Sequence, residues 1–202
     1  LSDAQKAQPA YERILGLYQR TLSYETFGDP EMRIEMVSFI FSQTENAQIP
    51  LSAKEQGFNF GLEQMKKSVE EHSLDSRWYL FSAKLYQAFA QAKVSNEQYP
   101  AELLKESEGL IEKGIALSPQ KLALHYVLAQ TLLMEKKYEE ALERIQRLIQ
   151  TAPTMPENYW YLCLTYLGLQ NETSALTVLG QALDLGYVFQ NIDDLKLAAD
   201  LY

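Results

Sequence analysis

The sequence predicts an all-α fold built from repeated helix pairs, and three observations predict it. Pro119 recurs as Pro153, Leu128 as Leu162, Ala141 as Ala175 and Leu148 as Ala182, each 34 residues later. A period of that length is one helix-turn-helix unit. Outside the repeat, apolar residues return at spacings of three and four, the pattern of helices with one buried face. Prolines fall between these runs, where they cannot continue a helix and also bias the residue before them away from it.

Each element follows in chain order. Ala7, Ala10, Ile14, Leu15, Leu17, Tyr18 and Leu22 predict a helix from Asp3 to about Ser23, capped by Asp3, in an N-terminal segment 1–28. Gly28 and Pro30 end that element, and Asp29 and Pro30 open a second helix carrying Met32, Met36, Phe39 and Ile40 to about Gln43. After Ile49-Pro50 a third helix runs from about Ser52 to Glu71, with Phe58, Leu62, Met65 and Val69 as its seam. Gly57 and Gly61 sit one turn apart and admit a close neighbour. Glu55, Glu63, Lys66 and Lys67 around them favour packing in water over a membrane dimer. Residues 29–74 thus read as a degenerate unit.

Residues 75–121 form an interrupted unit. Trp78, Phe81, Ser82 and Leu85 mark its first helix, and Ser107, Ile111 and Gly114 its second. Matching Trp78 to His125 and Ser107 to Ala141 gives separations of 29 and 16, so 13 residues are inserted near 91–103, with Tyr99-Pro100 as the ordered part. The clear units are 122–155 and 156–189. Their first helices bury Leu128, Ala129 and Leu132, then Leu162, Cys163 and Tyr166; Ala141 and Ala175 sit where the second helix crosses the first. Tyr187 takes the place of a third proline, and Gly186 before it supplies a left-handed cap. Leu195, Ala198, Ala199 and Tyr202 predict a capping or truncated helix in 190–202.

Composition excludes several functions. With 202 residues, 47% hydrophobic, the chain can bury a core. A net charge of −9, with no run of Lys or Arg longer than two, disfavours nucleic acid and anionic lipid. The longest apolar run, Met36 to Phe41, is far too short to span a bilayer, so no membrane insertion of this segment is expected. No signal peptide opens the chain, and a first residue other than Met reads as a processed form or a cut fragment. Cys163 stands alone, which rules out an internal disulfide and leaves the compartment undecided. There is no HExxH, GxGxxG, P-loop, EF-hand or CxxC pattern. No enzyme, catalytic residue, cofactor or metal is therefore predicted. His125 reads as a packed ring, His72 as a helix-end cation after Glu70 and Glu71, and the Glu139-Glu140 and Asp193-Asp194 pairs as solvated faces or caps.

The segments HYVLAQTLLMEKKYEEALERIQRLIQTAP and YWYLCLTYLGLQNETSALTVLGQALDLGY resemble units of the tetratricopeptide repeat family. The resemblance implies a right-handed superhelical solenoid of antiparallel helix pairs, about ten helices in all, acting as a protein–protein interaction scaffold. In that family the first helices line a concave groove. Carried onto this sequence, the groove positions are Tyr79, Ala83, Tyr86 and Gln87; Tyr126, Gln130, Leu133 and Met134; and Trp160, Leu164, Leu167 and Gly168. Clustered aromatic residues there favour a peptide or partner helix with apolar anchors. The other reading open for Tyr126 and Trp160 is packing against the neighbouring unit. The Lys, Asn and Arg that clamp a chaperone's terminal carboxylate in some relatives are absent from these positions.

A second segment, RTLSYETFGDPEMRIEM, is similar to the stretch that leads into the repeat-bearing tails of bacterial membrane proteins of the O-antigen ligase type, through Leu22, Ser23, Tyr24, Phe27, Gly28, Glu31 and Arg33. That resemblance implies an alternative: the accessory tail of a glycan ligase or polymerase, tethered to an inner membrane by a region missing here. A sugar site would pair its aromatics with several carboxylates and amides, and only Gln87, Gln130 and Glu157 are near. Self-association through the solenoid ends is a third reading.

Overall fold

Ten helices run in order through the computed structural model, which describes residues 3–95 and 98–201, with side chains from Lys6 onward. They are α1 (Asp3–Leu22), α2 (Asp29–Ser42), α3 (Leu51–Glu71), α4 (Ser76–Ala92), α5 (Ala101–Leu117), α6 (Leu122–Met134), α7 (Tyr138–Thr151), α8 (Pro156–Gly168), α9 (Glu172–Asp184) and α10 (Ile192–Leu201). The expected all-α repeat fold is what forms: among the described residues the only extended pairing is a single bridge, Ser95 to Gln98. The Asp3 side chain and Tyr202, expected as a cap and a seam residue, lie outside the described residues. The chain divides into two compact units, Leu1–Val127 and Leu128–Tyr202.

In the first unit the apolar seams meet in one core. Met36, Val37 and Ile40 of α2, Phe58 and Met65 of α3, and Trp78, Leu85 and Phe89 of α4 are buried together, with the Phe58 and Phe89 rings stacked at 4.8 Å. Tyr11 and Leu15 of α1 close a smaller cluster with Ile49 and Ala53. The two α3 glycines do what their spacing predicts. Gly57 lies under the Tyr11 hydroxyl, and Gly61 is wedged against Leu85 and Ile40, so α3 meets three other helices with no side chain at those points. Between α4 and α5, Ser107 Oγ donates to the Ala83 carbonyl at 3.1 Å, holding the crossing where both residues are buried.

The second unit repeats one turn design. Lys136 and Gln170, 34 residues apart, are left-handed, with φ of 60° and 58°. Each closes a first helix by two backbone bonds. Lys136 N–H donates to Leu133 and Lys137 N–H to Leu132; Gln170 N–H donates to Leu167 and Asn171 N–H to Tyr166. Gly186, at φ 87°, ends α9 in the same way, with bonds to Leu183 and, from Tyr187, to Ala182. The expected left-handed glycine cap is therefore present. Ala141 and Ala175 are fully buried, as their place at the helix crossings requires.

One alignment made from the sequence needs correction. Tyr79 donates its hydroxyl to the Ser73 carbonyl at 3.0 Å, Tyr159 donates to Pro153 at 2.9 Å, and His125 Nε2 lies 2.8 Å from the Pro119 carbonyl oxygen. Each bond reaches back six residues, so the residue equivalent to His125 is Tyr79 and not Trp78. Trp78 aligns instead with Leu124 and Asn158, all buried. From Tyr79 to Ser107 is 28 residues against 16 from His125 to Ala141, so the insertion is 12 residues. Adjacent aromatics hid the register, and the bond that Tyr79 makes to Ser73 reveals it.

Two glycine substitutions separate packing from helix propensity. Gly57→Ala places a methyl on the buried Tyr11 hydroxyl and should lower stability by about 1–3 kcal/mol. Gly109→Ala, at an exposed position of α5, meets nothing within 4 Å and should raise it by about 1 kcal/mol. Chemical denaturation of both variants beside the parent measures the difference.

Candidate functional site

In the first unit the register shift moves the predicted groove residues inward. Tyr79 is 8% exposed, Ala83 is fully buried, and Gln87 is buried with its Nε2 donating to the Val127 carbonyl at 2.8 Å. The equivalents of Tyr126 and Gln130 are Leu80 and Lys84, one residue beyond those predicted. Tyr86 remains half-buried and lines a cleft of about 550 Å³. Ser82 and Tyr86 of α4 line it, with Leu62, Glu63, Lys66, Val69 and Glu70 of α3 and Glu106 and Leu110 of α5. Leu62, Val69, Tyr86 and Leu110 make it apolar, while three carboxylates and one ammonium give it a net negative character. Burial, and then the charge of Glu106, push the Tyr86 phenol above its ordinary pKa. Sequence reasoning missed this cleft because its lining comes from three helices.

In the second unit Gln130 is exposed, and Leu133, Met134, Leu164 and Leu167 are half-buried. Trp160 is 4% exposed: its ring stacks on Tyr187 at 5.3 Å and meets Phe189 edge-on at 5.4 Å. Trp160 is thus packed, but against the segment that closes its own unit and not against a neighbouring one. The signal for it was the pair of aromatics that follow Gly186, one of them replacing the proline. Gly168 lies against the Tyr138 ring, which leaves no room for a side chain there. Tyr126, at the end of the first unit, keeps partial exposure.

Cys163 is buried, and desolvation raises its thiol to about 11. No group of three or more His, Cys, Asp or Glu among the described residues could hold a metal ion, and no helix among them is long and apolar enough to cross a membrane.

A second cleft, of about 570 Å³, is built by the singled-out segment after α1. Glu25, Thr26, Phe27, Asp29 and Arg33 face Gln64, Lys67, Glu71 and His72 across it. The buried Arg33 donates to Glu71 at 2.5 Å and to Ser68 Oγ at 3.2 Å. Asp29 accepts from the Thr26 N–H and hydroxyl. The hydrogen bond from Arg33 holds the Glu71 carboxyl below its ordinary pKa. His72, expected only as a helix-end cation, also stacks on Trp78 at 5.7 Å.

Residues 104–164 match the tetratricopeptide repeat family, and no curated protein sequence matches the chain. The fold is similar to that of TTC0263, a thermophilic TPR protein in Thermus thermophilus, at 19% identity over 95% of this chain and 90% of that one, with a TM-score of 0.65. It is also similar to MamA 41-end from Desulfovibrio magneticus RS-1, at 14% identity over 82% and 83%, with a TM-score of 0.54. Residues 104–164 thus carry tetratricopeptide repeat sequence within an all-α helical-repeat fold. These matches give the ligase-type resemblance no support.

Two expectations follow for solution measurements. A thiol reagent such as Ellman's should leave Cys163 unmodified at pH 8 in the native protein and react once denaturant is added, since burial keeps the thiol both protonated and covered. For Glu71 the folded pKa is depressed, so its contribution to stability is present above the ordinary value of 4.5 and is lost as pH falls through the folded value. Glu71→Gln should therefore be less stable than the parent at pH 7, and the gap in denaturation midpoint should narrow below about pH 4.5.

Proposed function

We propose that this chain of tetratricopeptide repeats is a non-catalytic scaffold that holds a peptide or partner helix, and that its first unit does so in the Tyr86 cleft. Repeat arrays of this kind present extended surfaces to protein partners. The observation that carries the reading is the cleft's lining: an apolar floor with carboxylates Glu63, Glu70 and Glu106 beside it. Such a site suits a segment that inserts one or two apolar side chains and sets Lys or Arg beside them. The net charge of −9 would steer a basic segment toward the chain. Gln130, Leu133, Leu164 and Leu167, on the first helices of successive pairs, keep the exposure that a second contact surface needs.

Peptide display against residues 1–202, in parallel with a Leu110→Lys variant of unchanged helical signal, tests this. Leu110 is half-exposed, so the change loads the cleft with an ammonium without disturbing the core. The parent should enrich peptides with an apolar residue flanked by Lys or Arg, and the variant should bind them at least about tenfold more weakly, a loss of about 1.4 kcal/mol. Equal binding by both proteins would refute the cleft as the site.

A further inference from the structure

Helices α1 and α10 carry matching patterns of opposite charge. On α1, Arg13, Leu17 and Arg20 stand at i, i+4 and i+7, one face of the helix. On α10, Asp193, Leu197 and Asp200 stand at the same intervals. All six are exposed, the leucines by 52% and 39%. Neither face is used by its own unit. The buried side of α1 is Tyr11, Leu15 and Leu22, and that of α10 is Ala198.

The charges are free to be used. Among the described residues the side chains of Arg13, Arg20 and Asp200 have no hydrogen-bond or ion-pair partner. Asp193 meets Lys196 at 3.3 Å, with both side chains exposed, a pair of the kind that contributes little in water. From residue 156 to the end the chain has one basic residue against six acidic ones, whereas α1 holds three basic and two acidic. Each of the two faces places a leucine between two like charges. Like charges keep each face from pairing with itself and leave it suited to the other.

We infer that α1 of one copy docks on α10 of a second copy, Leu17 against Leu197, with the two arginines on the two aspartates. The contact is heterologous, using a different patch on each copy, so it joins chains head to tail. It is small and charged, which makes the association weak, concentration-dependent and sensitive to salt.

Sedimentation velocity over a concentration series tests it with a pair of charge reversals. In about 0.01 M salt the parent's sedimentation coefficient should rise with concentration, and about 0.5 M salt should suppress the rise. Arg13→Glu/Arg20→Glu and Asp193→Lys/Asp200→Lys should each sediment as a monomer with an unchanged helical signal. An equimolar mixture of the two should associate again, because each then meets its opposite. Without touching the charges, Leu17→Cys mixed with Leu197→Cys should form an interchain disulfide under oxidation that neither forms to that extent alone. The inference is overturned by a parent that stays monomeric at low salt, by association that the reversals leave unchanged, or by a mixture that neither associates nor crosslinks.

Discussion

Close approach of helix axes at small side chains is the constraint on which this fold depends. A helix pair with one apolar stripe per helix cannot bury both stripes unless the crossing is narrow, and a bulky residue there holds the axes apart. Ala83, Ala129 and Cys163 occupy equivalent places on the first helices, and Ser107, Ala141 and Ala175 on the second; all six are buried. At Gly114 even a methyl would fall within 2.9 Å of Leu124 and 3.2 Å of Tyr79. The large buried side chains, Ile111, Ile145 and Leu179 among them, fill the space beside these crossings. Each removes apolar surface from water at about 25 cal/mol per Å², but only because the small residues let the helices meet.

The connections obey a second constraint, which is that helix ends must satisfy their own backbone. Lys136 and Gln170 accept a left-handed conformation that ordinarily favours glycine. Two backbone bonds at each turn offset the strain. At the opposite end of the unit, Tyr79, His125 and Tyr159 reach back to a carbonyl of the preceding loop. These residues vary in chemistry but all can donate, which is the property their position requires. The bond ties the start of each first helix to the loop before it and so fixes how that helix enters the pair.

Much of this was legible in the sequence because periodicity, proline and glycine act locally. The helix boundaries, the small crossing residues, the close packing at Gly57 and Gly61 and the left-handed Gly186 all follow from residue type and spacing. What was not legible depends on contacts between segments. Trp78 and Tyr79 are adjacent aromatics, and only the bond to Ser73 decides which one matches His125. That one-residue error then placed Tyr79 and Ala83 on a surface they do not occupy, whereas Gln87 is taken inward by its bond to the Val127 carbonyl. Trp160 lies at a position the family resemblance assigns to the groove, yet Tyr187 and Phe189 cover it. The Tyr86 cleft joins residues 62–70, 82–86 and 106–110, which no sequence interval connects. The Arg33 cleft is partly an exception, since most of one side of it comes from a short stretch that stood out by itself.

The proposed cleft and the proposed end contact draw on different residues, and this matters for affinity. A cleft of about 550 Å³ holds only a few side chains, so a single copy binding one short segment would bind it weakly. Copies joined through α1 and α10 would present the same cleft at intervals along one assembly. A partner that repeats its basic, apolar segment could then engage several clefts at once, and the second engagement would occur at an effective concentration set by the spacing between copies rather than by the bulk. Both contacts depend on exposed charge, the first on carboxylates of α3 and α5 and the second on the arginines of α1 and the aspartates of α10. Raising salt would therefore weaken assembly and partner binding together, and avidity would fall faster than either affinity alone. Weak single contacts joined in this way make a scaffold whose partner binding rises steeply with its own concentration.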